Sequence, residues 1–171
     1  VSLVTDYGPG NVEALRDSIE RDPGSVAVIS VMHANNEVGT LQPVSDIVAL
    51  AAAHGIPVHT DAVQSVGHVA VDFAALGVDA LSLTGHKLGG PFGVGALIAR
   101  RELTLTPVLH GGGQEREVRS GTVDAPAIAG FAAAVELAVK TQSEHASHIG
   151  ALRDQLVARV LEQVPEAIYN G

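Results

Sequence analysis

No cysteine occurs among the 171 residues, which excludes a disulfide framework and any thiolate chemistry supplied by this chain. Tryptophan is missing and aromatics amount to 3%, so the 46% of hydrophobic residues must build a core from Ala, Val, Leu and Ile. Positive charge is scarce: 10 Lys plus Arg stand against 19 Asp plus Glu, a formal charge of −9. Such a balance lacks the basic footprint that a nucleic acid or an anionic membrane surface requires. Long hydrophobic runs are also lacking. The richest, Ala125 to Val139, is too short to span a bilayer and carries Glu136. The opening VSLVTDYGPG has neither the basic nor the apolar region of a signal peptide, so a cytoplasmic location is expected. With no initiator Met and a closing PEAIYNG that reads as interrupted, the chain is expected to belong to a longer one.

What is present alternates between two periods. VAVISVM (26–32) is a continuous β-branched run, expected to form a strand buried on both faces. PVSDIVALAAAHG (43–55) follows as a helix, with Pro43 at its start and Gly55 past its end. IPVHT (56–60) and DALSLT (79–84) read as strands separated by a short helical turn, DFAALG (72–77), and VGALIAR (94–100) reads as a fourth strand. This order predicts an α/β fold, a mostly parallel sheet sandwiched by helices. From Asp124 the pattern becomes helical: an Asp cap, a first-turn Pro, then apolar residues at helical spacing, with Gly150 as a candidate kink. Residues 1–124 are therefore expected to form the α/β part and 125–171 a long helical segment.

In open parallel sheets ligands gather at the C-terminal ends of strands. Four polar clusters are expected there: HANNE (33–37), HTDAVQ (59–64), LTGHK (83–87) and HGGGQEREVRSGT (110–122). A lone Asp at such an end is ordinarily a cap or a surface residue, and a lone Lys a solvated one. Asp61 and Lys87, however, are one strand–helix–strand unit apart, so adjacent strands can turn both toward one pocket, where Asp61 is expected to be partly buried. Thr84, Gly85 and His86 add hydroxyl, backbone and imidazole donors of the kind that bind phosphate. A rival reading takes His59, Asp61 and His86 as ligands to a metal. It leaves Lys87, one of only two lysines in the chain, idle.

Taken in order, VMHANNEVGTLQPV, HTDAVQSVGHVAVD, SLTGHKLGGPFGVGAL and HGGGQEREVRSGT resemble the cysteine desulfurase branch of the class V (fold-type I) aminotransferase family. The likeness runs from about Val26 to the helix after Thr122. It implies the cofactor pyridoxal 5′-phosphate and a role for each matching residue. Lys87 corresponds to the lysine that binds the cofactor covalently, and Asp61 to the partner of the pyridine nitrogen. Gln64 corresponds to the residue that bonds the phenolic oxygen, and Asn36 to an amide facing that oxygen and the substrate. Thr84 and His86 correspond to phosphate ligands. Thr122 corresponds to a residue reaching the phosphate in a partner subunit, which implies a homodimer. The implied reaction takes L-cysteine to L-alanine and passes sulfur to an acceptor thiol, on this protein or on a sulfur-acceptor protein.

The chain departs from the family pattern in four respects. The sulfur-accepting cysteine is absent. So are the preceding segment, with its phosphate loop and ring-stacking group, and the C-terminal small domain with its substrate-binding arginine. Phe92 stands in GGPFG where a basic residue is common. The expectation is therefore the central part of a large domain. A selenocysteine lyase, another aminotransferase, or a non-catalytic relative serving as a dimerisation module share the same retained residues.

Overall fold

The computed structural model describes residues 11–170; the opening VSLVTDYGPG, read above for signal-peptide features, and Gly171 lie outside the described residues. The first helix, α1 (Val12–Arg21), was not anticipated from the sequence. Asn11 caps it by accepting from the Ala14 N–H, and Val12, Leu15 and Ile19 share the face that enters the core. Then come β1 (Ile29–Met32), α2 (Val44–Ala52), β2 (Val58–Asp61), the short α3 (Phe73–Leu76), β3 (Ala80–Thr84), β4 (Gly95–Ala99) and α4 (Ala125–Gln163). Asp72 caps α3, and Gly77 ends it with φ +75°, a conformation for which a Cβ would be strained.

The strands form one sheet in the order β1-β2-β3-β4. β1, β2 and β3 are parallel, with Met32 opposite Asp61 and Asp61 opposite Ser82, and β4 runs antiparallel to β3. The sheet is thus mixed and mostly parallel, as the sequence predicts, with helices packed on it. The fourth strand reverses because residues 85–94 are too few for a crossover, which needs about a dozen residues or more.

One sheet face carries Ile29, Val58, Thr60, Leu81 and Leu83 into a core completed by Ile47, Leu50 and Ala51 of α2 and by Phe131 of α4. Each large aliphatic side chain buried there contributes about 1.5–3 kcal/mol. The opposite face carries Ser30, His59, Asp61, Ser82 and Thr84. β1 is consequently shorter than predicted and not buried on both faces: Ile29 is buried, whereas Ser30 and Met32 are exposed. Asp124 accepts from the Ala127 N–H to start α4, which continues through Gly150 without a break.

Candidate active site

Three of the four polar clusters meet at the C-terminal edge of the parallel strands. Asp61 ends β2, and its Oδ1 accepts from the Val63 N–H at 2.9 Å, folding the chain into a turn that brings up Gln64. The carboxylate is exposed rather than partly buried as expected, since strand alternation sends Thr60 inward and Asp61 to the open face. Thr84 ends β3, two residues beyond Ser82, the register partner of Asp61. Its Oγ1 lies 3.1 Å from Nδ1 of His86 and donates to the Val94 carbonyl at 3.3 Å. The His86 ring also stacks on Phe92, with centroids 6.0 Å apart and planes 15° from parallel.

Lys87 projects from the turn between β3 and β4. Leu88 N–H and Gly90 N–H both donate to the Gly85 carbonyl, which closes that turn. Gly85 is required by space: a Cβ there would lie 2.8 Å from the Pro91 carbonyl oxygen and 3.3 Å from the Phe131 ring. Among the described residues no hydrogen bond or ion pair occupies the side chains of Lys87, Gln64 or Asn36. Asn36 is exposed on the loop after β1, whose neck is closed by the Asn35 N–H to Thr40 carbonyl bond and the Gln42 N–H to His33 carbonyl bond.

The fourth cluster does not arrive at this edge in the manner expected. It follows an antiparallel strand, which returns the chain to the other end of the sheet. The segment then closes on itself: Ser120 N–H donates to Leu109 O, Gly113 N–H to Ser120 Oγ, and Gly121 N–H to Gln114 Oε1. Thr122 is exposed, and no hydrogen bond among the described residues joins its segment to the other three clusters.

The rival metal reading does not hold together. His59 spends both ring nitrogens on serines, Nδ1 at 2.8 Å from Ser30 Oγ and Nε2 at 3.2 Å from Ser82 Oγ. Among the described residues no group of three His, Cys, Asp or Glu side chains is arranged to hold a metal. Sequence reasoning also passed over His33 and Ser65. His33 Nδ1 lies 3.0 Å from Ser65 Oγ, both residues are buried, and burial holds the imidazole pKa below its usual value. The signal available was a histidine opening the first polar cluster directly after a strand.

An amine, an open carboxylate, a hydroxyl–imidazole pair and two amides at the carboxyl ends of the strands of a mostly parallel sheet define an α/β ligand-binding domain. This donor set fits a ligand with a reactive carbonyl, a basic ring nitrogen and a phosphate. The family model described as Aminotransferase class-V matches residues 2–170, and the chain belongs to that family. The IscS-like cysteine desulfurase of Mycobacterium tuberculosis is 45% identical over 164 residues, covering 96% of this chain and 42% of that protein. A NifS-like protein from Rickettsia africae has a TM-score of 0.92 at 35% identity, covering 98% of this chain and 47% of its own. An SspA solved in complex with cysteine has a TM-score of 0.71 at 42% identity, covering 76% of this chain and 37% of its own. The chain thus spans less than half the length of these relatives. The family is one of pyridoxal-phosphate enzymes.

Proposed function

We propose that the chain is the cofactor-holding part of a pyridoxal-phosphate-dependent cysteine desulfurase. The observation that carries this reading is the shared strand edge of Asp61, Thr84 and the turn bearing Lys87. Relatives named as cysteine desulfurases, and a structural neighbour in complex with cysteine, support L-cysteine as the substrate. Bound at this edge, pyridoxal phosphate would supply an electrophilic carbon and a ring that accepts electron density.

The chain's own residues divide the remaining work. Lys87 offers an exposed amine, able to attack a carbonyl and then to carry the substrate's α-proton on Nζ. Asp61 presents a negative charge that keeps a ring nitrogen protonated. Thr84 and His86 would hold the phosphate through hydroxyl and imidazole. Gln64 would bond the phenolic oxygen, and Asn36 would face that oxygen and the substrate. Thr122 would serve the phosphate of a partner subunit in a homodimer. Desulfuration breaks the substrate C–S bond and forms an S–S bond to a thiolate, so cysteine plus thiol gives alanine plus persulfide without an external oxidant. With no cysteine in these 171 residues, the accepting thiol belongs to a residue outside them or to a separate acceptor protein.

The test is a titration of the purified full-length protein with pyridoxal phosphate, followed by visible absorbance and by alanine release from L-cysteine. A visible band and alanine are expected in the wild type, and Lys87→Ala should abolish the band and lower turnover about 10²–10⁴-fold. A wild-type band that survives Lys87→Ala, or a wild type without one, overturns the reading.

A further inference from the structure

His33 occupies a junction that none of the roles above uses. Its backbone N–H donates to the Asp61 carbonyl at 2.8 Å, its carbonyl accepts from the Gln42 N–H at 2.9 Å, and its ring reaches Ser65. One residue thereby fixes the neck of the loop bearing Asn36 and both ends of the turn bearing Asp61 and Gln64. The direction of these bonds follows from valence. Ser65 Oγ lies 3.2 Å from the Ala62 carbonyl oxygen, which can only accept, so the single hydroxyl proton points there. Ser65 Oγ must then accept from His33, which places a proton on Nδ1, and burial disfavours the charged ring, leaving the neutral Nδ1–H tautomer. The resulting chain runs His33 Nδ1–H to Ser65 Oγ–H to the carbonyl of Ala62, the residue next to Asp61. Ser65 is fully buried and His33 is 8% exposed, so water cannot replace either bond.

We propose that His33 and Ser65 form a positioning pair for the candidate site, holding the Asn36 loop and the Asp61–Gln64 turn at a fixed separation through the Nδ1–H tautomer. Neither residue touches the ligand. Their contribution is the spacing between groups carried by two different strands, a requirement of preorganised sites whose groups stand on separate elements. The inference rests on the cofactor reading for one of its two readouts, and the other is independent of it.

The first readout is nitrogen NMR of the full-length protein without cofactor. A pyrrole-type signal at Nδ1 of His33 and a pyridine-type signal at Nε2 are expected, and the reverse assignment overturns the proposal. The second is cofactor affinity. Ser65→Ala and His33→Leu are each expected to weaken pyridoxal-phosphate binding about tenfold, the double variant little more, because each removes the same link. His33→Asn, which keeps an N–H near the Nδ1 position, should recover most of the affinity. Val78→Ala, a core truncation at the opposite end of β3, lowers thermal stability and should leave affinity unchanged; affinity loss tracking melting temperature across all five variants overturns the proposal. Wild type that binds no cofactor overturns the proposed function and this inference together, whereas equal binding by wild type and Ser65→Ala overturns this inference alone.

Discussion

The two ends of the sheet treat their polar groups in opposite ways. At the end where β2 and β3 start, the carboxylate of Asp79 and the guanidinium of Arg100 are committed to the backbone. Asp79 Oδ2 accepts from the Val58 N–H at 2.8 Å, and Arg100 donates to the carbonyls of Gly77 and Val78 at 2.8 and 3.1 Å. Arg100 Nε also stands 3.8 Å from Asp79 Oδ1. A cavity of about 430 Å³ opens beside them, walled by Val48, Ile56 and Leu103. At the end where the same strands finish, Lys87, Gln64 and Asn36 have no partner among the described residues. One end uses its charges to tie strands together, while the other keeps them available. In a parallel sheet, that contrast separates the edge serving stability from the edge serving chemistry.

Substitutions at the two ends should therefore fail in different ways. The largest effect is expected at the open end. Asp61→Ala should lower turnover about hundredfold, since a charge-assisted bond is roughly twice as strong as a neutral one. Gln64→Ala should cost up to about tenfold, the weight of one neutral hydrogen bond, and steady-state kinetics of the two variants side by side measure the ratio. Equal and mild losses would remove the special role of the carboxylate. At the closed end Asp79→Ala should leave cofactor affinity unchanged and destabilise the fold by about 1 kcal/mol, because the Val58 N–H and Arg100 lose a partly exposed acceptor. Urea unfolding read together with cofactor titration checks both halves. A change in affinity at Asp79 would break the contrast.

The smallest effect concerns pH. Burial lowers the His33 pKa below 6.5 in the folded chain, so the unfolded chain gains a proton that the folded one refuses. The stability contributed by the neutral ring is complete above pH 6.5 and is lost as pH falls from there toward the lowered folded value. Unfolding midpoints measured between neutral pH and about pH 5 should fall less steeply for His33→Asn than for wild type.

Much of this arrangement was legible in the residues. IPVHT and DALSLT announced β2 and β3 because their apolar positions are bounded by turn residues, and the polar groups at their ends marked the open edge. DFAALG read as a short helical turn, and Asp72 and Gly77 cap α3 at its two ends. The direction of β4 was not legible from GALIA itself, since a short apolar run has no polarity; the informative feature was the brevity of 85–94. The junction at His33 was hidden for another reason: its partner Ser65 lies 32 residues away, and no local pattern marks a serine that will be buried. α1 was missed although Asn11 and the spacing of Val12, Leu15 and Ile19 carry an ordinary helical signature. His59 read as a ligand because its alternation with Asp61 was correct, while the flanking serines that occupy it stand on separate strands.

The turn beneath Lys87 has a bearing on how substitutions accumulate over evolutionary time. Gly85 faces the Pro91 carbonyl and Phe131, Gly130 faces the Pro91 ring, and a Cβ on Gly90 would come within 2.9 Å of Ala134. These three positions are closed to larger side chains whatever reaction the lysine performs. A relative that had abandoned the chemistry and lost Lys87 would still be held to the same glycines, as long as it kept the helix against the turn. Persistence of the glycines in a lineage thus records the fit of helix to turn, and persistence of the lysine alone records the chemistry.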